Sequence, residues 1–453
     1  MGADTALSRL VLQNYRAFSE VDIPLGKINL FFGPNNAGKS ALLSAITLLS
    51  QTMYSHDRDV PLLCRGHFED LGSYKDLVYG NNIRKDIKIG IEIATDVSKV
   101  VKYINNIMKR NEDAPIKSVY AEFKFTYRSQ QKQIALAGFE IQIPTGDTIL
   151  RTRIAKTASS QLTDYLGDAF AGLGPVILSR SINLNHFFPT LRGIESMVPR
   201  RFYPLKKLDR ILSLFTRLFI RYLNSVEFIS PFRQAPERFY TFSGESPSTV
   251  GIHGETAIDV LVADHLRRGK KRRGIKDEVA RWFQQAEIAK QINIVPLSDR
   301  HYEVKVTNFY SNENQSIADV GFGCSQVLPV LVAGFSLHQG DSFIVEEPEI
   351  HLHPKAQAEL GTFLLELAQR DIQLFIETHS EHLLLRLQSH VASGELAPNE
   401  IFVYYIYADP DNKKKNIKRI NIGRDGIFID EWPHGFFPEK LHEAMKIAGF
   451  KTT

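Results

Sequence analysis

The sequence predicts an α/β protein: a mixed sheet with flanking helices, an antiparallel β lobe and a mainly helical insertion. Three observations predict it. Residues 33–40 read GPNNAGKS, set between the apolar run Ile28–Phe32 and a helix-forming stretch, Lys39–Met53. Two later apolar runs, Phe343–Val345 and Gln373–Ile376, each end in a carboxylate. Between these regions Ile87–Ile93, Val119–Tyr127 and Ile134–Ile143 alternate apolar and polar residues, the period of half-buried strands.

The GPNNAGKS loop matches the phosphate-loop pattern at each fixed position: Gly33, Gly38, Lys39 and Ser40. Glycines let backbone N–H groups turn toward phosphates, and the following helix start adds partial positive charge. Asn35, Asn36 and Ala37 complete the loop. Lys39 is expected to reach the β- and γ-phosphates of ATP, and the Ser40 hydroxyl to bind Mg²⁺. Leu42, Leu43, Ile46, Leu48 and Leu49 supply the apolar side of the helix.

Hydrolysis needs an acid near the metal and a base near the water. Phe343-Ile344-Val345-Glu346-Glu347 offers both at one strand end: Glu346 for the metal and Glu347 for the water. A third strand, Gln373–Glu377, runs into Thr378-His379-Ser380, where His379 is placed to sense the γ-phosphate. Upstream, Gly321-Phe322-Gly323-Cys324-Ser325-Gln326 leads into an apolar helix and forms a second candidate anion cradle. One chain needs only one cradle per ATP. The expectation is therefore a homodimer in which the phosphate loop of one copy and Gly321, Gly323, Ser325 and Gln326 of the other hold the same nucleotide.

The order GPNNAGKS, DVGFGCSQ, FIVEEPEIHLHP, IETHS resembles the ABC-type ATPase heads of the SMC, RecF and OLD group. The EEPEIHLHP string is most like the OLD-like members. The resemblance covers about 1–95 and 226–453. It implies an ABC-type ATPase head, a nucleotide-sandwich dimer, Gly321–Gln326 as signature loop, Pro348–His353 as dimer-facing loop and His379 as switch histidine. Phe228–Tyr240, Val250–Glu255 and Gly423–Phe437 resemble a bacterial subgroup that ends in a short C-terminal domain of unknown function. Such subunits pair with a separately encoded nuclease or toxin in defence against phage, and this implies a sensor or regulatory role. Roughly 70 residues after the His379 strand and its helix are too few for an ordinary nuclease domain, so the effector is expected on another chain. One departure stands out. The glutamine that usually touches Mg²⁺ is missing, because Gln51 lies too close to the loop; Asp70 or Ser73 would replace it.

The remaining features bound these readings. The chain of 453 residues is 43% hydrophobic and 23% charged, as in an ordinary globular protein, and it has no apolar run long enough to span a membrane. With two cysteines, no signal-like start and a net charge of +4, a cytoplasmic protein is expected. The expected segments are 1–95 (head, first part), 96–160 (β lobe), 161–225 (helical insertion), 226–395 (head, second part) and 396–453 (hairpin and tail). Leu205–Leu223 reads as a helix with one apolar face and a solvated basic face. His351, His353, His379 and His382 have no metal-specific spacing. The densest charge is Arg267, Arg268, Lys270, Lys271, Arg272 and Arg273. It is either a solvated turn or a DNA contact, the latter belonging to the alternative of a RecF-like clamp. Higher homo-oligomers fit the unassigned middle of the chain.

Overall fold

The computed structural model describes residues 5–94, 118–145, 148–156, 162–166, 182–191, 203–269, 272–409 and 414–433. The chain forms two compact units, each assembled from separated stretches.

The first unit gathers Met1–Leu25, Ser40–Val226 and Gln339–Ser342. Its sheet runs in the order Phe18–Pro24, Ala6–Tyr15, Ile87–Ala94, Ser118–Arg128, Gln133–Thr145, Thr148–Lys156, Leu162–Leu166. Every neighbouring pair is antiparallel. The alternation seen in the sequence is the cause. Val119, Ala121, Phe123 and Phe125 are fully buried while the residues between them are partly solvated. The sheet begins well upstream of residue 96, because Ala6–Tyr15 pairs with Ile87–Ala94. Within 161–225 the described residues include the hairpin Ile182–Asn185 and Phe188–Leu191 as well as the 22-residue helix Tyr203–Asn224. That helix buries Leu212, Phe215, Phe219, Tyr222 and Leu223 and leaves Arg217 and Arg221 exposed, as its spacing predicts.

The second unit gathers Gly26–Lys39, Glu227–His338 and Phe343–Thr453. A six-stranded sheet runs Val226–Ile229, Ser342–Glu346, Gln373–Glu377, Ile28–Phe32, Ile401–Ala408, Lys415–Ile420. Ile28–Phe32 is buried along its whole length and parallel to both neighbours, as a strand covered on both faces must be. Asn29, the polar residue in this run, donates its amide to Leu374 O (3.0 Å) and Gly26 O (2.9 Å) and so satisfies its burial. The helices Ala257–Leu266, Ile275–Gln285, Phe322–Ser336, Pro354–Gln369 and Glu381–Ala392 contribute to one apolar core with the sheet. The tail folds back on it: Trp432 packs edge-on against Phe32 and Tyr405. Tail residues 434–437 and the tip of the last hairpin, 410–413, lie outside the described residues. Among the described residues no helix is long and apolar enough to cross a membrane.

Candidate nucleotide site

Three neighbouring strands of the six-stranded sheet end at the predicted chemistry. Ile28–Phe32 enters GPNNAGKS, Ser342–Glu346 enters Glu347, and Gln373–Glu377 enters Thr378-His379. The phosphate loop turns through positive φ at Gly33 (146°), Asn36 (62°) and Gly38 (112°). At Gly33 a Cβ would sit 2.1 Å from Ile406 O, so only glycine fits between loop and neighbouring strand. Pro34, Asn35 and Asn36 are exposed, and Ala37 is buried. Asn36 O accepts from Lys415 Nζ at 2.8 Å, which ties the loop to the last hairpin. The helix Lys39–Met53 follows the expected bounds, and its second residue, Ser40, is exposed.

Lys39 is 4% exposed and its ammonium is folded into the loop. It donates to Gly33 O (3.0 Å) and Pro34 O (3.3 Å) and lies 3.5 Å from Glu377 Oε1. The sequence reading assigned no role to Glu377. Its signal was an acid at the last position of a buried strand, immediately before Thr378-His379.

Glu347 has φ of 44°, a left-handed conformation rare for a residue with a side chain. Its N–H donates to Glu377 O at 2.7 Å. Its carboxylate lies 3.8 Å from His379 Nε2. Burial and the Lys39 charge hold the His379 imidazole below its usual pKa of 6.5, against the pull of Glu347. The expected base and the expected switch histidine are thus neighbours.

Two further residues, given no role by the sequence reading, complete this end of the sheet. Arg233 donates through Nη2 to Glu346 O (2.9 Å) and Glu347 O (3.2 Å). Burial lowers its pKa to about 10, against the nearby charges of Glu349, Glu347 and Glu346. Glu349 accepts the His379 N–H at 2.7 Å through Oε1, and burial pushes its carboxyl above the ordinary range.

The signature stretch divides. Gly321 caps the helix Phe322–Ser336, and Gly321 and Phe322 are exposed with Gly323 beside them. Ser325 and Gln326 turn inward, at 5% and 8% exposure, and Ser325 Oγ donates to Phe322 O. Ser325 faces a cavity of about 300 Å³ lined also by Tyr240, Glu255 and Asp259. Anything that meets this tip from outside touches Gly321, Phe322 and Gly323 first. The tip rests on the Pro348–His353 loop: a Cβ on Gly323 would lie 2.7 Å from His351 O, and the Phe322 and His351 rings are 6.0 Å apart.

Other expectations fall elsewhere. Gln51 is fully buried near the end of its helix and braces the stretch that follows, donating to Leu63 O and accepting from Glu69 N–H. Asp70 pairs with Arg65, and the Ser73 hydroxyl donates to Asp76. The basic run is not one free patch. Arg272 pairs with Asp277, and Arg273 donates to Phe335 O, Ser336 O and Leu337 O at the end of a helix, where a cation satisfies orphan carbonyls. Arg267 and Arg268 are exposed; Lys270 and Lys271 lie outside the described residues. His353 caps the helix Pro354–Gln369 through its ring nitrogen. Among the described residues no group of three or more His, Cys, Asp or Glu side chains forms a metal cage.

An OLD nuclease from Thermus scotoductus is 21% identical over 380 residues, spanning 83% of this chain and 59% of that protein's length. Among solved structures, the Smc head domain from Pyrococcus furiosus bound to the C-terminal domain of ScpA aligns over 98% of this chain and 99% of its own (12% identity, TM-score 0.43). The SMC head domain from Thermotoga maritima aligns over 92% and 99% (10% identity, TM-score 0.40). The model of the AAA ATPase domain family matches residues 6–145 and 258–384, more than half of the chain. The protein therefore belongs to the AAA ATPase domain family.

Proposed function

We propose that the protein binds ATP with Mg²⁺, closes into a homodimer around it, and reopens on hydrolysis. Lys39 and the loop N–H groups of one copy take the triphosphate, and the Gly321–Gly323 tip of the second copy covers it. Glu347 orients or deprotonates the water, and His379 contacts the γ-phosphate. Ser40 and Glu346 are hydroxyl and carboxylate oxygen donors, the set that Mg²⁺ selects, and they would hold it. The metal would neutralise charge on the phosphates.

One observation carries this reading. The glycine cradle at a helix start is exposed and carries Phe322, 67% exposed, its ring tilted toward that of His351 at 6.0 Å in the loop that follows Glu347. An exposed aromatic at a helix N-terminus fits a face covered by a second nucleotide-bearing copy. ATP drives the change only through its higher affinity for the closed state.

The cycle serves, on this reading, as the sensor or regulatory input to a separately encoded nuclease or toxin in defence against phage. Similarity to an OLD nuclease supports an effector that acts on nucleic acid. The test is a Glu347→Gln variant, which binds but does not hydrolyse ATP. Light scattering should give a monomer without nucleotide and a dimer with ATP and Mg²⁺. An unchanged mass contradicts the reading. Purification of the same variant from its native host should bring down the effector; recovery of DNA alone favours a clamp.

A further inference from the structure

The Arg233 side chain is 8% exposed, and Nε and Nη1 have no hydrogen-bond partner among the described residues. Its remaining nitrogen, Nη2, reaches the two carbonyls that flank Glu347's own backbone turn. A buried cation with two idle donors is a poor packing element; an apolar side chain of similar volume would fill the space with less desolvation. What the guanidinium does make is specific. Glu347 sits at φ 44°, its N–H is held by Glu377 O at 2.7 Å, and its carbonyl is held by Arg233 at 3.2 Å. Neither flanking peptide can rotate without breaking one of these bonds.

We propose that Arg233 is a positioning residue of the hydrolytic centre, holding the Glu346–Glu347 backbone so that the Glu347 carboxylate stays aimed at the attacking water. The proposal rests on the assignment of Glu347 as the base. Glu349 serves the same purpose on the other side, since its Oε1 holds the His379 N–H at 2.7 Å and thereby orients the histidine that lies 3.8 Å from Glu347. The fixed turn delivers a carboxylate that needs no reorganisation when ATP is in place, which is where a misplacement of about 1 Å can lower a rate about a hundredfold.

The test compares Arg233→Lys, Arg233→Gln and Arg233→Ala in the full chain. Turnover is measured at saturating ATP, and affinity with a non-hydrolysable ATP analogue. A positioning role predicts that kcat falls about ten- to a hundredfold while analogue affinity stays near wild type. Lys should retain more activity than Gln, and millimolar guanidinium should restore part of the Arg233→Ala rate. Loss of analogue affinity with kcat intact overturns the proposal, because it makes Arg233 a ground-state ligand. Wild-type kcat in folded Arg233→Gln overturns it too, as does a set of variants that only lose stability while each folded molecule turns over normally. Glu347→Gln is the separate control. If that variant hydrolyses ATP at the wild-type rate, the assignment of the base has failed, whatever Arg233 does.

Discussion

Lys39 Nζ lies 3.5 Å from Glu377 Oε1 in a site where the two side chains are 4% and 7% exposed. The phosphate-loop lysine is therefore held by a buried carboxylate and two loop carbonyls, and a triphosphate must compete for it. Replacing Glu377 by Gln removes the competing charge and leaves a buried cation without its counter-ion. The nucleotide-free protein should lose about 1–3 kcal/mol of stability. Its melting temperature should then rise more on adding ATP than that of wild type. Calorimetry with and without nucleotide checks both signs; an ATP-induced rise smaller than wild type contradicts the competition.

Lys39→Ala should abolish ATP binding, measured directly by titration calorimetry. Retained affinity would contradict the role given to the loop.

Glu349 gives a pH prediction. Its folded carboxyl is held above the ordinary 4.5 by burial. The stability it contributes is fully present below pH 4.5 and is lost as pH rises through the folded value. Glu349→Gln keeps an acceptor for the His379 N–H and removes the titration. Its stability should match wild type near pH 4 and exceed it at pH 8. Denaturant midpoints at the two pH values test this, and an equal offset at both contradicts it.

His379 is held neutral at pH 7, because burial and Lys39 depress its pKa below 6.5. The hydrolysis rate should stay level as pH falls to 6.5 and decline only below it. A decline already centred above pH 7, absent in His379→Asn, would place the titration on the wrong side.

Arg273 separates the two readings of the basic run. Its bonds to the carbonyls of Phe335, Ser336 and Leu337 close a helix end. Arg273→Ala should destabilise the protein by about 1–2 kcal/mol, leaving any DNA affinity unchanged. Arg267→Ala with Arg268→Ala should leave stability unchanged. Filter binding over a salt series reads the affinities.

The sequence made some of this legible and hid the rest for identifiable reasons. Lys39–Met53 and Gln373–Glu377 emerged with their expected bounds because a motif and a buried run mark both ends. The alternating strands lay within a residue or two of their expected bounds, since period-2 burial is a local property. Arg233, Glu349 and Glu377 were missed because their partners are remote: Arg233 meets Glu346 across 113 positions. Ser325 and Gln326 were expected to face the nucleotide, but the helix they begin is buried on nearly every side, and such a helix gives no periodicity from which to read its outward face. In the basic run, composition could not show that Arg273 turns back onto a helix end.

The central claim is that two copies complete each nucleotide site. At Gly321 a Cβ meets nothing within 4 Å, so Gly321→Asp should fold normally while setting a carboxylate where the partner's triphosphate would approach. Alone, Gly321→Asp lacks a working tip and Lys39→Ala lacks a working loop, so neither should hydrolyse ATP. Mixed one to one, half of the dimers are hybrids that keep one of two sites, so about a quarter of the wild-type rate should return. No recovery in the mixture, or full activity in Gly321→Asp by itself, would contradict a shared site.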